Sequence, residues 1–354
     1  MKTIEHPGFY LASLLKKNGM SQKELAIRTG VSEKHICTII AKERSISAAF
    51  AHKLKYVFGN SIDWIELQNK YDAYQQRMLD KQNISSVEIE IVKQLKEPIK
   101  KFIKLKKLKK SNCDADFIIG IRSLLQVSDL AAIADITYNA AYRAQISKNA
   151  LINPFVLYAW QRLCEVSVES VNVKSLDIEG LKRKIIDIKN LMFNDFQKFI
   201  PELKEIFSSC GIAFNVVDHF KGAPVQGFIK ESQNKVILCL TNRRKRADVF
   251  WFTLFHEIGH LVNGDFKNRF VDFELADNET EKQADEYARD LLIPVEEYKK
   301  FVQKNDNFTK KIICNFAEKI GVMPFIVVGR LQNDHIIDWS EHTDLIINYS
   351  NKEE

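Results

Sequence analysis

The sequence predicts a multidomain chain. An all-α N-terminal domain covers 1–75, a helical middle region covers 76–195, and an α+β domain covers 196–354. Three observations predict this. Residues 5–75 fall into short apolar-periodic segments separated by Ser, Asn and Gly signals. Residues 112–195 keep helical periodicity but carry no chemical motif. After Phe196, β-branched runs come first and amphipathic helices follow. At roughly 100–200 residues per domain, 354 residues suit two or three domains.

Composition narrows the function classes. The chain is 45% apolar and 28% charged, a soluble globular mix. With 13 Gly and 7 Pro, collagen-like, mucin-like and Pro-rich disordered classes are excluded. The net charge of +6 permits a nucleic-acid partner without requiring one. No apolar run approaches the roughly 18–20 residues of a membrane span. The start, Met-Lys-Thr-Ile-Glu-His-Pro-Gly, has no apolar signal region. A cytoplasmic chain with no membrane partner is expected. Cys37, Cys113, Cys164, Cys210, Cys239 and Cys314 lie apart with no C-x-x-C pair, so they read as buried or free thiols.

The first element is a helix over 9–17, ended by Asn18-Gly19. Ser21 caps the second, with Glu24 three residues on in a capping box. That helix stops at Thr29-Gly30, and Ser32 caps a third with His35, Ile36, Ile39 and Ile40. Helices over 46–58 and 62–74 complete the domain. The second and third helices have the spacing of a helix-turn-helix, with Gly30 at the turn and Val31 packed inward. The third helix is expected in the major groove, with Glu33, Lys34, His35 and Thr38 facing outward. Gln22, Lys42 and Arg44 are placed to bond phosphates.

Between Lys93 and Lys110 there are nine lysines and one acid, Glu97. Ile99, Phe102, Ile103 and Leu108 recur at helical spacing, predicting a basic amphipathic helix broken or started at Pro98. A solvated lysine face is the plain reading, and a second nucleic-acid contact the sharper one. Further on, Leu124-Leu125, Leu130-Ala131-Ala132 and 140–144 look like core faces. Residues 156–163, with Trp160, read as a helix, and 175–193 is amphipathic.

A helix over 196–210 ends at Gly211. Strands follow over 212–217, 227–229 and 235–240, the last two joined by a polar turn over 231–234. Helices over 248–262 and 280–292 come next, and two more lie in the tail from Lys310.

The helix over 248–262 contains His256-Glu257-Ile258-Gly259-His260. Histidines four apart project from one helix face and can share a metal. By chance this pattern arises in such a chain on the order of one time in a hundred. A catalytic zinc takes three protein ligands and leaves a position open for water. Glu257 is placed to take a proton from that water. On pattern alone, Glu281 is the best third ligand and Glu279 the alternative. Asp285, one turn after Glu281, suits a partner that orients a ligand histidine.

The stretch F-W-F-T-L-F-H-E-I-G-H-L-V-N-G-D, then E-K-Q-A-D-E-Y-A-R-D-L-L-I-P and I-G-V-M-P-F-I-V-V-G-R-L-Q, resembles the ImmA/IrrE family of zinc metallopeptidases over about 196–340. The resemblance implies a zincin-like metallopeptidase fold. It implies zinc ligands at His256, His260 and Glu281 and the catalytic glutamate at Glu257. Family members cut repressor proteins. No oxyanion-stabilising side chain is assigned, and His219, Tyr287, Arg289 and Tyr298 stay open.

The sequence H-P-G-F, then M-S-Q-K-E-L-A-I-R-T-G-V-S-E-K-H-I and F-G-N-S-I-D-W-I-E-L-Q-N-K-Y-D, resembles the HigA-type antitoxin branch of Xre repressor-like DNA-binding domains over about 5–75. It departs at Cys37, where a small polar Ser is expected, and Cys37 reads as a core substitution. The two resemblances together imply a transcriptional regulator bound to operator DNA, a homodimer in expectation. Its zinc endopeptidase would act on a repressor or a toxin–antitoxin component. The alternative is an antitoxin or repressor whose peptidase fold senses or binds a partner without turnover. An extended substrate is expected along the edge of the strand over 235–240.

Overall fold

The computed structural model describes residues 3–110, 114–140, 152–232, 235–241, 245–264 and 278–349. The turn residues 233–234, the stretch 141–144 and Cys113 lie outside the described residues. The chain forms two compact units, Met1–Ser86 with Ser111–Ile119, and Val87–Lys110 with Gly120–Glu354.

In the first unit, α1 (Pro7–Lys17), α2 (Gln22–Thr29), α3 (Glu33–Ile40), α4 (Ala48–Phe58) and α5 (Trp64–Gln82) enclose one core. Leu11, Leu25, Ile36, Ile39, Leu54 and Trp64 are fully buried there. Ser21 and Ser32 cap as expected, each hydroxyl accepting an N–H three residues on. The capping box is half formed, because the Glu24 carboxylate accepts from Arg28 one turn later instead. Gly30 takes the left-handed conformation, φ 63°, that the turn between α2 and α3 requires. Cys37 is exposed, which corrects its reading as a core residue: it follows Ile36 by one position, about 100° around the helix from the buried face.

The basic stretch is two helices, α6 (Ser86–Gln94) and α7 (Lys96–Lys104). The break falls at Leu95, ahead of Pro98, because a proline ring obstructs the carbonyl four residues before it, here that of Gln94. Beyond it come α8 (Asp114–Leu125), α9 (Ile133–Ala140) and α10 (Pro154–Ser167). Leu130 is buried but Ala131 and Ala132 are exposed, so that triplet is only partly a core face. The stretch Asp114–Ile136 does reach the length and apolar content of a membrane span. Scattered Asp and Arg residues interrupt its runs, and a left-handed Gln126 and a 3-10 turn divide it.

The rest of the second unit contains α11 (Ile178–Arg183), α12 (Ile185–Asn190), α13 (Phe196–Ser209), β1 (Ile212–Val217), β2 (Gly227–Ser232) and β3 (Lys235–Thr241). It closes with α14 (Ala247–Asn263), α15 (Asn278–Leu292), α16 (Val295–Lys304), α17 (Lys310–Ile320) and α18 (Pro324–Asn333). The sheet order is β1-β3-β2, with β1 parallel and β2 antiparallel to β3. Phe214, Ile229, Leu238 and Leu240 face the main core with Leu254 and Ile258 of α14. On the other face, Phe228 meets Trp160 of α10 edge-on at 5.9 Å, and Cys239 donates to the Cys164 carbonyl. Both faces are covered, which is why β3 reads as a continuous apolar run.

That order corrects one expectation. The strand over 235–240 is the middle strand, paired on both sides, and offers no edge. Among the described residues β2 pairs on one side only, and it lies against Glu257 of the HExxH helix at Gly227.

Candidate active site

Helix α14 is almost entirely buried, with Trp251, Leu254, Phe255, Ile258 and Leu261 at 0% exposure. Such packing fixes its histidines rigidly. The imidazoles of His256 and His260 meet with Nε2 to Nε2 at 3.0 Å. Helix α15 crosses at Gly259, where a Cβ would stand 3.1 Å from the Ala284 backbone. Small residues at the crossing let the helices approach closely, and this carries Glu281 to the histidines. Its carboxylate lies 3.2 Å from His256 Nε2 and 3.5 Å from His260 Nε2.

One donor atom from each of His256, His260 and Glu281 falls within 4.8 Å of the others. Two imidazole nitrogens and a carboxylate are the donor set of a catalytic metal with an open position, so the residues fit a divalent ion. Glu279 is exposed and outside this group. His256 turns its other nitrogen to Asp285, Nδ1 to Oδ1 at 2.8 Å. That bond fixes the tautomer and leaves Nε2 for a metal.

The charges fit as well. Burial pulls the His256 imidazolium down, but Asp285, Glu281 and Glu257 outweigh it and hold its pKa at about 9. Burial pushes Glu281 up, yet the two histidines hold it well below the ordinary carboxylate range. A cation is strongly favoured among these groups.

Glu257 is 3% exposed, and its Oε2 is buried with no hydrogen-bond partner among the described residues. A buried unmatched carboxylate oxygen costs free energy, so it marks a place where a donor belongs. The side chain lies against β2 at Gly227, where a Cβ would fall 2.1 Å from Oε1. Sequence reading placed Gly227 in a strand but missed its contact with Glu257. A glycine inside a strand is itself a signal of close approach.

Of the side chains left unassigned, His219 is half-buried just after β1. Tyr287 packs on Gly259, and burial raises its pKa. Tyr298 lies under the Arg330 guanidinium at 4.5 Å, and Arg289 lines a cavity beside Asp285.

In the first unit, Lys34, His35, Thr38 and Arg44 line one shallow surface groove with Val31 and Ser32. Arg44 approaches His35 Nδ1 at 3.1 Å, and His35 packs edge-on against Phe50 at 5.2 Å. Burial, then Arg44, lowers the His35 pKa. Thr38 donates its hydroxyl to the His35 carbonyl. Glu33 and Gln22 are outside the groove lining. So is Lys42, which approaches Glu5 at 3.9 Å.

Comparison with known proteins adds two findings. Residues 217–332 match the Peptidase_M78 family, described as the IrrE N-terminal-like domain. The matched segment begins at the end of β1 and includes His256, Glu257, His260 and Glu281, and it supports a metallopeptidase-type enzyme. The chain is also 39% identical over 77 residues to virulence-associated protein A' of Dichelobacter nodosus, covering 21% of this chain and 67% of that protein.

Proposed function

Since the chain belongs to the family of virulence-associated protein A' over the stretch they share and carries an IrrE-type peptidase domain, we propose that it is a DNA-binding transcriptional regulator with a zinc endopeptidase. Its substrate is a repressor or another regulatory protein. The observation that carries this is the buried convergence of His256, His260 and Glu281 beside a Glu257 oxygen with no partner.

His256, His260 and Glu281 would hold the ion, and zinc there would supply Lewis acidity and a more acidic water at neutral pH. Asp285 holds the His256 ring in orientation. Glu257 takes a proton from the attacking water at Oε2 and passes it to the leaving amine. An extended substrate lies along the open side of β2, next to Glu257.

Residues 1–75 form the DNA-binding domain, residues 76–195 the middle region and residues 196–354 the peptidase. The groove of Lys34, His35, Thr38 and Arg44 meets operator DNA, with Gln22, Glu33 and Lys42 as contacts outside it. The regulator works in the cytoplasm as a homodimer on a palindromic site, away from membranes.

The deciding experiment is metal analysis of the purified full chain, followed by incubation with repressors encoded beside it. About one zinc per chain and cleavage abolished in Glu257→Gln are expected. Zinc-loaded protein that cuts none of them would replace turnover with the sensing reading.

A further inference from the structure

His256 has two sides. Its Nε2 faces the metal ligands, and its Nδ1 faces Asp285. On the Nδ1 side lies a cavity of about 240 Å³ between α14, α15 and α18. Asp285 is part of its wall, and none of the three metal-site residues is. The cavity therefore lies behind His256 from the metal-site nitrogens, and it borders the β2 side through Gln226, the residue before Gly227.

Its walls mix apolar side chains, Phe252, Ile293, Ile326 and Trp339 among them, with charged and amide ones. Most of its charges already have partners. Asp248 is gripped by Arg246 through two bonds of 3.0 and 2.8 Å. Asp285 is bonded to His256, and Arg330 donates to Asp334 at 2.6 Å while stacking on Tyr298. Arg289 is different. Its side chain lines the cavity half-buried, with no ion pair or hydrogen bond among the described residues, and its Nε is closed off from solvent, so the guanidinium end is what a ligand meets. A planar carboxylate is the group that matches an unpaired guanidinium.

We propose that this cavity binds a small organic carboxylic acid, its carboxylate on Arg289 and its apolar body against Phe252, Ile293, Ile326 and Trp339. An apolar cavity of about 150 Å³ holds benzene, so about 240 Å³ admits an aromatic acid of benzoate's size. This gives the chain a small-molecule site one side chain removed from His256. It does not depend on peptidase activity.

The test is calorimetric titration of the full chain with benzoate, its neutral analogue benzamide and its cationic analogue benzylamine. Benzoate should bind with a Kd on the order of 1 mM, typical for a ligand of this size. It should bind about tenfold more tightly than benzamide, the worth of a charge-assisted hydrogen bond. Arg289→Gln should remove that preference, and Arg289→Lys should keep part of it. Asn333→Trp is a second variant that leaves Arg289 in place. Asn333 is exposed on the cavity rim, so a bulky ring there blocks entry without disturbing the core. Benzoate binding that survives both Arg289→Gln and Asn333→Trp overturns the proposal. So does benzylamine binding more tightly than benzoate, or no benzoate binding at about 10 mM, tenfold above the expected Kd.

Discussion

The groove on α3 and the centre between α14 and α15 are both built from polar side chains, but in opposite surroundings. Lys34 and Arg44 are exposed, and water satisfies their charges. His256, Glu257 and His260 are between 1% and 3% exposed, and each charge there must be answered by another protein group or by a bound ion. The difference teaches where a substitution acts. At the exposed groove it should change binding and leave folding alone. At the buried centre it should change chemistry and metal content, and it disturbs stability whenever a charge loses its partner.

The largest expected effect is at Glu257. Glu257→Gln keeps the side chain's size and leaves both histidines and Glu281, so metal content should hold. Cleavage should fall by roughly a hundred- to ten-thousand-fold, the usual contribution of a positioned base. Parallel assays of zinc content and turnover check this, and full activity in the variant removes Glu257 as the base.

Acidity comes next. A metal must displace the proton that His256 holds with a pKa of about 9. Apparent metal affinity should therefore rise about tenfold per pH unit between pH 7 and pH 9, measured by competition with a chelator. In the metal-free protein the sign is reversed. His256 has its pKa raised above the ordinary 6.5, so its stabilising contribution is full below pH 6.5 and lost as pH rises through about 9. Melting temperatures of the metal-free chain should fall across that window. A flat metal affinity from pH 7 to 9 would mean that His256 is neutral before metal arrives.

Asp285→Asn should weaken metal binding by about 10–100-fold, the usual cost of removing a ligand's orienting partner. Glu279→Ala should leave it unchanged, since Glu279 is outside the group. Equal losses in these two variants would undo the separation drawn between them.

On the exposed side, Lys34→Gln and Arg44→Gln should each reduce the salt dependence of operator binding by about one counterion, with melting unaltered. Gel-shift titrations over a range of salt decide it, and unchanged slopes would take the groove off the DNA. The smallest effect belongs to the lysines of α7 and of the turn that follows it. Lys101 pairs with Asp218, which follows β1, and Lys107 pairs with Glu169, so those two already have partners. Lys100→Gln with Lys106→Gln, both exposed, should leave zinc content and turnover untouched.

Much of each region was legible in the sequence because its geometry is local. A helix places residues four apart on one face, so the pairing of His256 with His260 needed no tertiary information. Ser21 and Ser32 reveal helix starts because a cap acts within three residues. Other features depend on elements distant in sequence. The choice of Glu281 over Glu279 rests on how Gly259 and Ala284 let α15 cross α14. The open side of β2 beside Glu257 rests on a sheet order that composition does not encode. Trp160 was legible as a helix residue, but only packing shows α10 covering the second face of the sheet. The half-formed capping box at Glu24 and the exposed Cys37 show the same limit at close range. Spacing determines which groups can meet along one element, while packing between elements decides which of them do.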